Sequence, residues 1–389
     1  MIPISYNIRS LAVRKTTTIA TALGIALVVF VLASAEMLTN GIRNTLGKSG
    51  DAQRAVVLRK GADNELSSNI EKRIVSLILS APGVKHDASG VPLGVGEILM
   101  VIALDKASGS EQMSNVGLRG IPSHGFAFRK QAKLVAGRAA RQGADEVVIG
   151  ERLRGQFKGL DIGQSFEIKK NLAMKVVGVF SAEGSSQESE IWCDVDIVSS
   201  AFGREGDVSS VTVELESPSK FDVFRSTMEH DRQLGLQALS EPVYYEKQSE
   251  STASLVTALG SAIVFFFSLG AIIGAMITMY AAVAHRRREV GTLRALGFSR
   301  VTILSSFLLE AVMLALIGGT AGALASLAMG FVKFSMMNFN SWSEVTFSFD
   351  PSPAIIVRAV LLGGVMGVIG GLMPALRAAR TSAVEAMRD

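Results

Sequence analysis

His285-Arg-Arg-Arg-Glu-Val-Gly-Thr-Leu-Arg-Ala-Leu-Gly-Phe-Ser-Arg300 decides how the rest of the chain is read. It is a short basic stretch between two long apolar runs. From Ser251 to Ala284 there is no charged residue, and from Val301 to Val332 there is only Glu310. A helix crosses bilayer hydrocarbon in roughly 20 apolar residues, so both runs are long enough to span. Arginine concentrated in a short connection between two spans marks the cytoplasmic side. The stretch therefore reads as a cytoplasmic loop of a membrane protein, open to a soluble partner.

Composition agrees. Of 389 residues, 48% are hydrophobic and 19% charged. That is too apolar for an ordinary soluble enzyme and too polar for a chain lying wholly in lipid. A few spans plus one sizeable soluble domain fit the mixture. The net charge of +4 belongs with loop arginines, not with nucleic-acid binding. A single cysteine, Cys193, excludes an intrachain disulfide and a cysteine-based metal cluster. His86, His124, His230 and His285 lack metal-ligand spacing. No G-x-x-x-x-G-K-[ST] occurs, so this sequence has no P-loop of its own for ATP. No catalytic set stands out, and no metal site is expected.

Outward from the basic stretch, the expected architecture is an α-helical membrane protein. It has four transmembrane helices and a large α+β extracytoplasmic domain between spans 1 and 2. Residues 1–15 form an amphipathic interfacial helix, with Ile4, Ile8 and Leu11 at helical spacing. Residues 16–49 are the first span and a stalk. Arg14-Lys15, the apolar run and Ala33-Ser34-Ala35 imitate a cleavable signal peptide. Met37, Leu38, Ile42 and Leu46 continue one helical face beyond that point, which a helix leaving the membrane explains better. Residues 50–245 have ordinary charge density and no spanning run. Strands are expected at 54–60, 98–105, 116–121, 146–149, 165–168, 174–180 and 210–216, and helices at 69–80, 152–158 and 219–234. Residues 246–284 are a stalk and the second span, 285–300 the basic loop, and 301–333 the third span. Residues 334–353 are a short outer loop without Lys or Arg, 354–376 the fourth span, and 377–389 a basic tail.

Charge sets the orientation. Arg9, Arg14 and Lys15, then Arg286, Arg287, Arg288, Arg294 and Arg300, then Arg377, Arg380 and Arg388 alternate with basic-poor or large segments. Both termini are thus expected in the cytoplasm and the large domain outside. Lys333 and Arg358 fall at outer span ends, where long cations snorkel.

Within the spans, Gly270-x-x-x-Gly274, Gly318-x-x-x-Gly322, Gly363-x-x-x-Gly367 and Gly367-x-x-x-Gly371 are small-residue faces for helix packing or dimerisation. Glu36 borders the first span. Glu310 lies at membrane depth, a position that makes an acid a functional candidate; pairing with a loop or tail arginine is the structural reading and is favoured. Val290, Leu293, Leu296 and Gly297 fall on one face of a short helix, with Arg294 and Arg300 off it. Such a helix either orients the protein in the bilayer or seats in a groove of a soluble subunit. Charge alone leaves the two readings even.

Arg286-Arg-Arg-Glu-Val-Gly-Thr-Leu-Arg-Ala-Leu-Gly297, followed by Phe307-Leu-Leu-Glu-Ala311, resembles the signature of MacB/FtsX/LolCE-type ABC transporter permeases, the type VII mechanotransmission family. Gly371-Leu-Met-Pro-Ala-Leu-Arg-Ala-Ala-Arg-Thr-Ser-Ala-Val-Glu-Ala-Met-Arg388 resembles the family's C-terminal motif, with Ala383 in place of its usual proline. Asn7-Ile8-Arg9, Leu23-Gly24-Ile25, Leu134-Val-Ala-Gly-Arg138 and Val148-Ile149-Gly150 are supporting matches.

The resemblance implies a MacB-like periplasmic core domain at 50–245 and stalks at 36–50 and 243–254. It also implies a coupling helix formed by Glu289, Val290, Gly291, Leu293, Arg294, Ala295, Leu296 and Gly297. The chain would be a permease subunit, not an enzyme, in a bacterial inner membrane. It would work with two copies of a separate ABC ATPase that bind ATP and Mg, since this sequence begins at the membrane. A second permease subunit, membrane lipid, and a periplasmic adaptor or substrate-binding protein are the other implied partners. The cargo would be amphipathic: a lipoprotein, lipid, peptide or drug. The alternative within the family is an FtsX-like transmitter that activates an extracytoplasmic partner without transport. A membrane-anchored enzyme, the reading from another class, lacks a catalytic set.

Overall fold

The computed structural model describes residues 15–107, 112–230 and 234–381. The interfacial helix expected at 1–15, but for its last residue, and the end of the basic tail lie outside the described residues. In chain order the helices are α1 (Lys15–Gly47), α2 (Lys72–Leu79), α3 (Gly125–Phe128), α4 (Val195–Phe202), α5 (Phe221–His230), α6 (Glu241–His285), α7 (Arg287–Ala295), α8 (Arg300–Ser326) and α9 (Pro353–Arg380). The strands are β1 (Arg54–Arg59), β2 (Ile70–Glu71), β3 (Gly94–Asp105), β4 (Met113–Ile121), β5 (Lys133–Gly137), β6 (Glu146–Gly150), β7 (Ser165–Lys169), β8 (Leu172–Ser181), β9 (Glu190–Asp194), β10 (Asp207–Val208), β11 (Ser210–Glu214), β12 (Leu236–Ser240), β13 (Lys333–Asn338) and β14 (Ser343–Ser348).

Two compact units divide the chain. The first comprises Met1–Gly41, Ser254–Val332 and Ser348–Asp389. It contains the apolar parts of α1, α6, α8 and α9, the four described helices long and apolar enough to cross a membrane. α1 passes through Ala33-Ser34-Ala35 without a break. Ile25, Val29 and Ala33 of α1 pack with Ala315 and Ala323 of α8 and with Ala359 and Met366 of α9. Leu23, Phe266, Ile277 and Leu361 stand exposed on the outside of this bundle.

The small-residue faces differ in use. A Cβ added to Gly318 would lie 2.5 Å from the Ala22 carbonyl oxygen, and one added to Gly322 would overlap that of Ala26. These two glycines let α8 approach the backbone of α1. Added Cβ atoms at Gly367 and Gly371 would strike Ala315 and Ala311 of α8, and one at Gly363 would come within 3.2 Å of Val29. Gly270 and Gly274 are different, because nothing lies within 4 Å of an added Cβ there. Among the described residues they pack against no other helix, and instead line an open apolar groove with Gly24, Leu27 and Phe266. Gly322→Leu should therefore disrupt the bundle, at a cost of about 3 kcal/mol or more by overpacking against fixed backbone. Gly270→Leu should leave the melting of the detergent-solubilised chain unchanged. Equal melting temperatures for the two variants would contradict this packing.

The second unit comprises Ile42–Ala253 and Lys333–Phe347. Its sheet has the order β12-β1-β11-β3-β4-β9-β6-β8-β5, with β7 beside β8. β3 joins the two halves: Gly94–Glu97 pairs antiparallel with β11, and Ile98–Asp105 with β4. Most pairings are antiparallel, but β4 with β9 and β6 with β8 run parallel. Ile98, Val116, Ile149, Val176 and Val211 bury one side of this sheet in a core shared with Ile78 of α2, Val198 of α4 and Phe224 of α5. Phe180 and Trp192, stacked 4.1 Å apart, centre a smaller cluster.

Each strand expected from sequence forms, within a few residues of its expected ends. The helix expected at 152–158 does not. A short 3-10 turn, Glu151–Leu153, stands there, and Gly155 and Gly159 adopt positive φ that ends any helix. The helix expected at 69–80 begins instead as β2, and α5 forms within the one expected at 219–234, of which residues 231–233 lie outside the described residues. The outer loop expected at 334–353 contains the β13–β14 hairpin, most of which clusters with the α/β unit. Lys106 Nζ holds Glu344 at 2.9 Å, and the Thr346 N–H donates to Ser189 Oγ at 3.1 Å. Arg152 bonds the Thr346 carbonyl, and Ser114 bonds Glu344.

Candidate functional site

The basic stretch folds as α7 between α6 and α8. Its C-terminus closes with a Schellman pattern: the Phe298 N–H donates to the Leu293 carbonyl and the Gly297 N–H to that of Arg294, both at 3.1 Å. Gly297 makes this turn at φ +91°, a conformation that costs a side-chain-bearing residue free energy. Ser299 then caps α8 by accepting the Thr302 N–H at 3.1 Å. The chain thus turns out of α7 and into α8 within a few residues.

α7 has an inner and an outer side. Val290 is buried with Met279 and Val283 of α6, Ile303 and Phe307 of α8, and Ala375 and Ala378 of α9. Gly291 is buried beside it. Leu293 and Arg294 are half-buried, and Arg294 Nη1 donates to the Phe298 carbonyl at 2.9 Å. Glu289 and Ala295 are exposed, and Leu296 is 72% exposed. This corrects the single apolar face expected from spacing. Val290 is spent inside the bundle, and the outward surface is carried by Glu289, Ala295 and Leu296.

An ion pair roots α7. Arg286, at its N-cap, donates through Nη1 to Glu310 Oε2 on α8 at 2.8 Å, and both side chains are buried. The guanidinium also lies 5.9 Å from the Phe307 ring centre and 3.8 Å from Glu289. Charge-assisted bonds in an apolar surrounding are short and directional, so this pair ties the start of α7 to α8. Elsewhere in the same unit, Glu36 pairs with Arg358 at 3.0 Å.

The α/β unit holds a second constellation, which sequence reading did not single out. Arg119, in the middle of β4, forks onto Glu190 at 2.7 and 2.9 Å and onto Glu65 at 2.9 and 3.0 Å. It also donates to Glu97 of β3 at 2.9 Å. Arg129, just after α3, donates to Glu97 at 3.0 and 2.6 Å. Arg54, at the start of β1, donates to the Phe128 carbonyl at 2.7 Å and lies over the Phe128 ring. Arg54, Arg119, Arg129, Glu65, Glu97 and Glu241 are all buried. Burial alone would raise the Glu65 carboxyl, but the charge and hydrogen bonds of Arg119 bring it down to about 2. Burial holds Glu241 above the usual carboxylate range despite the nearby Arg129 and Arg54. Burial, with the nearby Asp194, also pushes up the Cys193 thiol. In the sequence Arg119 is the one charged residue of the strand expected at 116–121, and Glu97 immediately precedes the strand expected at 98–105.

Four long apolar helices, a short helix anchored between two of them and a sizeable α/β unit define a membrane permease class. The MacB-like periplasmic core domain model matches residues 16–230, and the FtsX-like permease C-terminal model matches 261–383. The chain belongs to the MacB/FtsX-type ABC transporter permeases. The macrolide export ATP-binding/permease protein MacB of Burkholderia pseudomallei (strain 1710b) is 28% identical over 71% of this chain and 42% of its own length. MacB of Burkholderia cenocepacia (strain HI2424) is 25% identical over 99% of this chain and 56% of its own length. The chain thus spans about half the length of the curated relatives it matches. The periplasmic region of MacB from Actinobacillus actinomycetemcomitans aligns over 49% of this chain and 90% of that one, with 13% identity and a TM-score of 0.37.

Proposed function

We propose that this chain is the membrane-spanning, force-transmitting subunit of an ABC transporter that exports or extracts an amphipathic cargo. α1, α6, α8 and α9 cross a bacterial inner membrane, with α7 and both termini in the cytoplasm and the α/β unit outside. The exposed Leu23, Phe266, Ile277 and Leu361 suit lipid contact, since leaving such side chains in water forgoes about 1.5–3 kcal/mol each. An ATPase that binds ATP and Mg docks on α7. Its closure pushes α7, the Arg286–Glu310 pair carries the push to α8, and α1 and α6 carry bundle motion to the α/β unit. The open groove containing Gly270 and Gly274 is the face offered to a second permease subunit. The macrolides named for the relatives are one member of the amphipathic cargo class.

The observation that carries the reading is the two-sidedness of α7. Val290 and Arg286 are fixed inward while Glu289, Ala295 and Leu296 are turned outward, as a transmitting contact requires. The test is purification of the chain from its native membrane in mild detergent, followed by identification of what accompanies it. A P-loop ATPase of the ABC type should co-purify in near-stoichiometric amount. Preparations active in no ATP hydrolysis, with no such ATPase present, would overturn the proposal.

A further inference from the structure

The buried Arg/Glu constellation has one member unlike the rest. Glu241 is the first residue of α6 and is 1% exposed. Its Oε2 accepts the Asp51 N–H at 2.9 Å, and Asp51 lies just beyond the end of α1. The two chain segments meet closely here. A Cβ added to Gly50 would lie 2.9 Å from the backbone N and Cα of Pro242. Glu241 also faces Arg54 Nη1 at 3.9 Å and Arg129 Nη1 at 3.6 Å, within ion-pair reach but beyond hydrogen-bond distance. Behind it the Arg119, Arg129, Glu65 and Glu97 contacts are tight, at 2.6 to 3.0 Å. One carboxylate thus gathers the exit of α1, the root of α6, the first residue of β1 and the residue that follows α3. Among the described residues, Arg54 Nη1, Arg129 Nη1 and Glu241 Oε1 find no hydrogen-bond partner. The carboxylate is held between two guanidinium groups by charge, in a socket that the tighter network keeps rigid.

We infer that Glu241 is the positioning residue that fastens the roots of α1 and α6 to the sheet of the α/β unit, so that movement of these helices is delivered to β1, β3 and β4. The inference rests on the transmitting function proposed above. A purely apolar contact would allow sliding, because the hydrophobic effect is non-directional. Taking a buried carboxylate away from the two guanidinium groups it faces is costly, since it strands charge in a poorly solvating interior.

The experiment is hydrogen exchange followed by mass spectrometry on the full chain with its ATPase in nanodiscs, without nucleotide and with a non-hydrolysable ATP analogue. In the wild type the analogue should change exchange at the membrane-distal parts of α1 and α6 and at β1 and β3. In Glu241→Gln the bond from Asp51 can persist but the charge is lost. The helix response should remain, the β1 and β3 response should fall at least about fivefold, and ATP hydrolysis should stay within about twofold of wild type. A merely structural role would alter exchange equally with and without nucleotide. If Glu241→Gln does not fold, Arg54→Gln, which removes one facing guanidinium and leaves Arg129, should give the same selective loss. Full transmission to β1 and β3 in either folded variant overturns the inference. A wild type with no nucleotide response anywhere would count against the transmitting function itself.

Discussion

Arg119→Met is expected to destabilise the α/β unit by about 3–5 kcal/mol, the usual cost of stranding buried charge. For a unit of this size that is a fall in melting temperature on the order of 10 °C. Methionine fills similar space, so the loss reports charge more than volume. Glu97 keeps Arg129, but Glu65 and Glu190 lose their forked partner. Trp192 gives the readout, because its Nε1 donates to Glu190 at 2.8 Å within the core. The dependence on pH should change as well. In the wild type Glu65 is held at about 2, below its ordinary value. Its contribution is complete above roughly pH 4.3, the ordinary glutamate value, and is lost only as pH falls towards about 2. In the variant, burial without the guanidinium raises the carboxyl above its unfolded value. Stability is then lost as pH rises through that folded value, so the variant should recover stability between pH 7 and pH 5 while the wild type gains nothing from this group. Fluorescence melts of the solubilised chain at the two pH values decide it. A variant that melts like wild type, with the same pH slope, would sink the account.

Much of this molecule was legible in its sequence because the signals are local. Apolar length marked the four long helices, and arginines against apolar flanks marked α7. The Arg286–Glu310 pair could be anticipated, since an acid among apolar residues needs a partner and the nearest arginines sit at the end of the same segment. The constellation in the α/β unit was not legible as such. Arg54 meets Glu241 and Arg119 meets Glu65 across long stretches of chain. Period-two reading assigns a charged strand residue to the solvent side, and the ten-stranded sheet buries Glu97 and Arg119 instead. Beyond Lys333 the β13–β14 hairpin reads as a loop, because residues 334–353 carry no Lys or Arg and adjoin a span. Its pairing depends on contacts with Lys106, Arg152 and Ser189, which no local pattern announces. Spacing placed Val290 and Leu296 on one face of α7, but the packing of three other helices around Val290 separates them.

That separation yields the sharpest test of function. Leu296→Asp should reduce stimulation of the co-purifying ATPase at least about tenfold while leaving the chain folded. Leu296 is 72% exposed, so its replacement removes little from the bundle, and surface changes of this kind usually shift stability by less than about 0.5 kcal/mol. If the side chain instead seats in a groove of the ATPase, its loss forgoes roughly 1.5–3 kcal/mol of burial. A new carboxylate there must also be desolvated. A change of about 1.4 kcal/mol is tenfold in affinity, so the burial term alone predicts about tenfold to a hundredfold weaker docking. Val290→Asp should do the reverse in kind, placing a charge among Ile303, Phe307 and Ala375 and melting the bundle before docking can be assayed. Glu289→Arg should weaken docking without unfolding, because its side chain is 58% exposed. The measurement is ATPase affinity and stimulated turnover in nanodiscs, alongside the melting temperature of each variant. Unchanged affinity and turnover for Leu296→Asp would remove α7 as the docking element, and the two-sided packing of this helix would then serve only to turn the chain between α6 and α8.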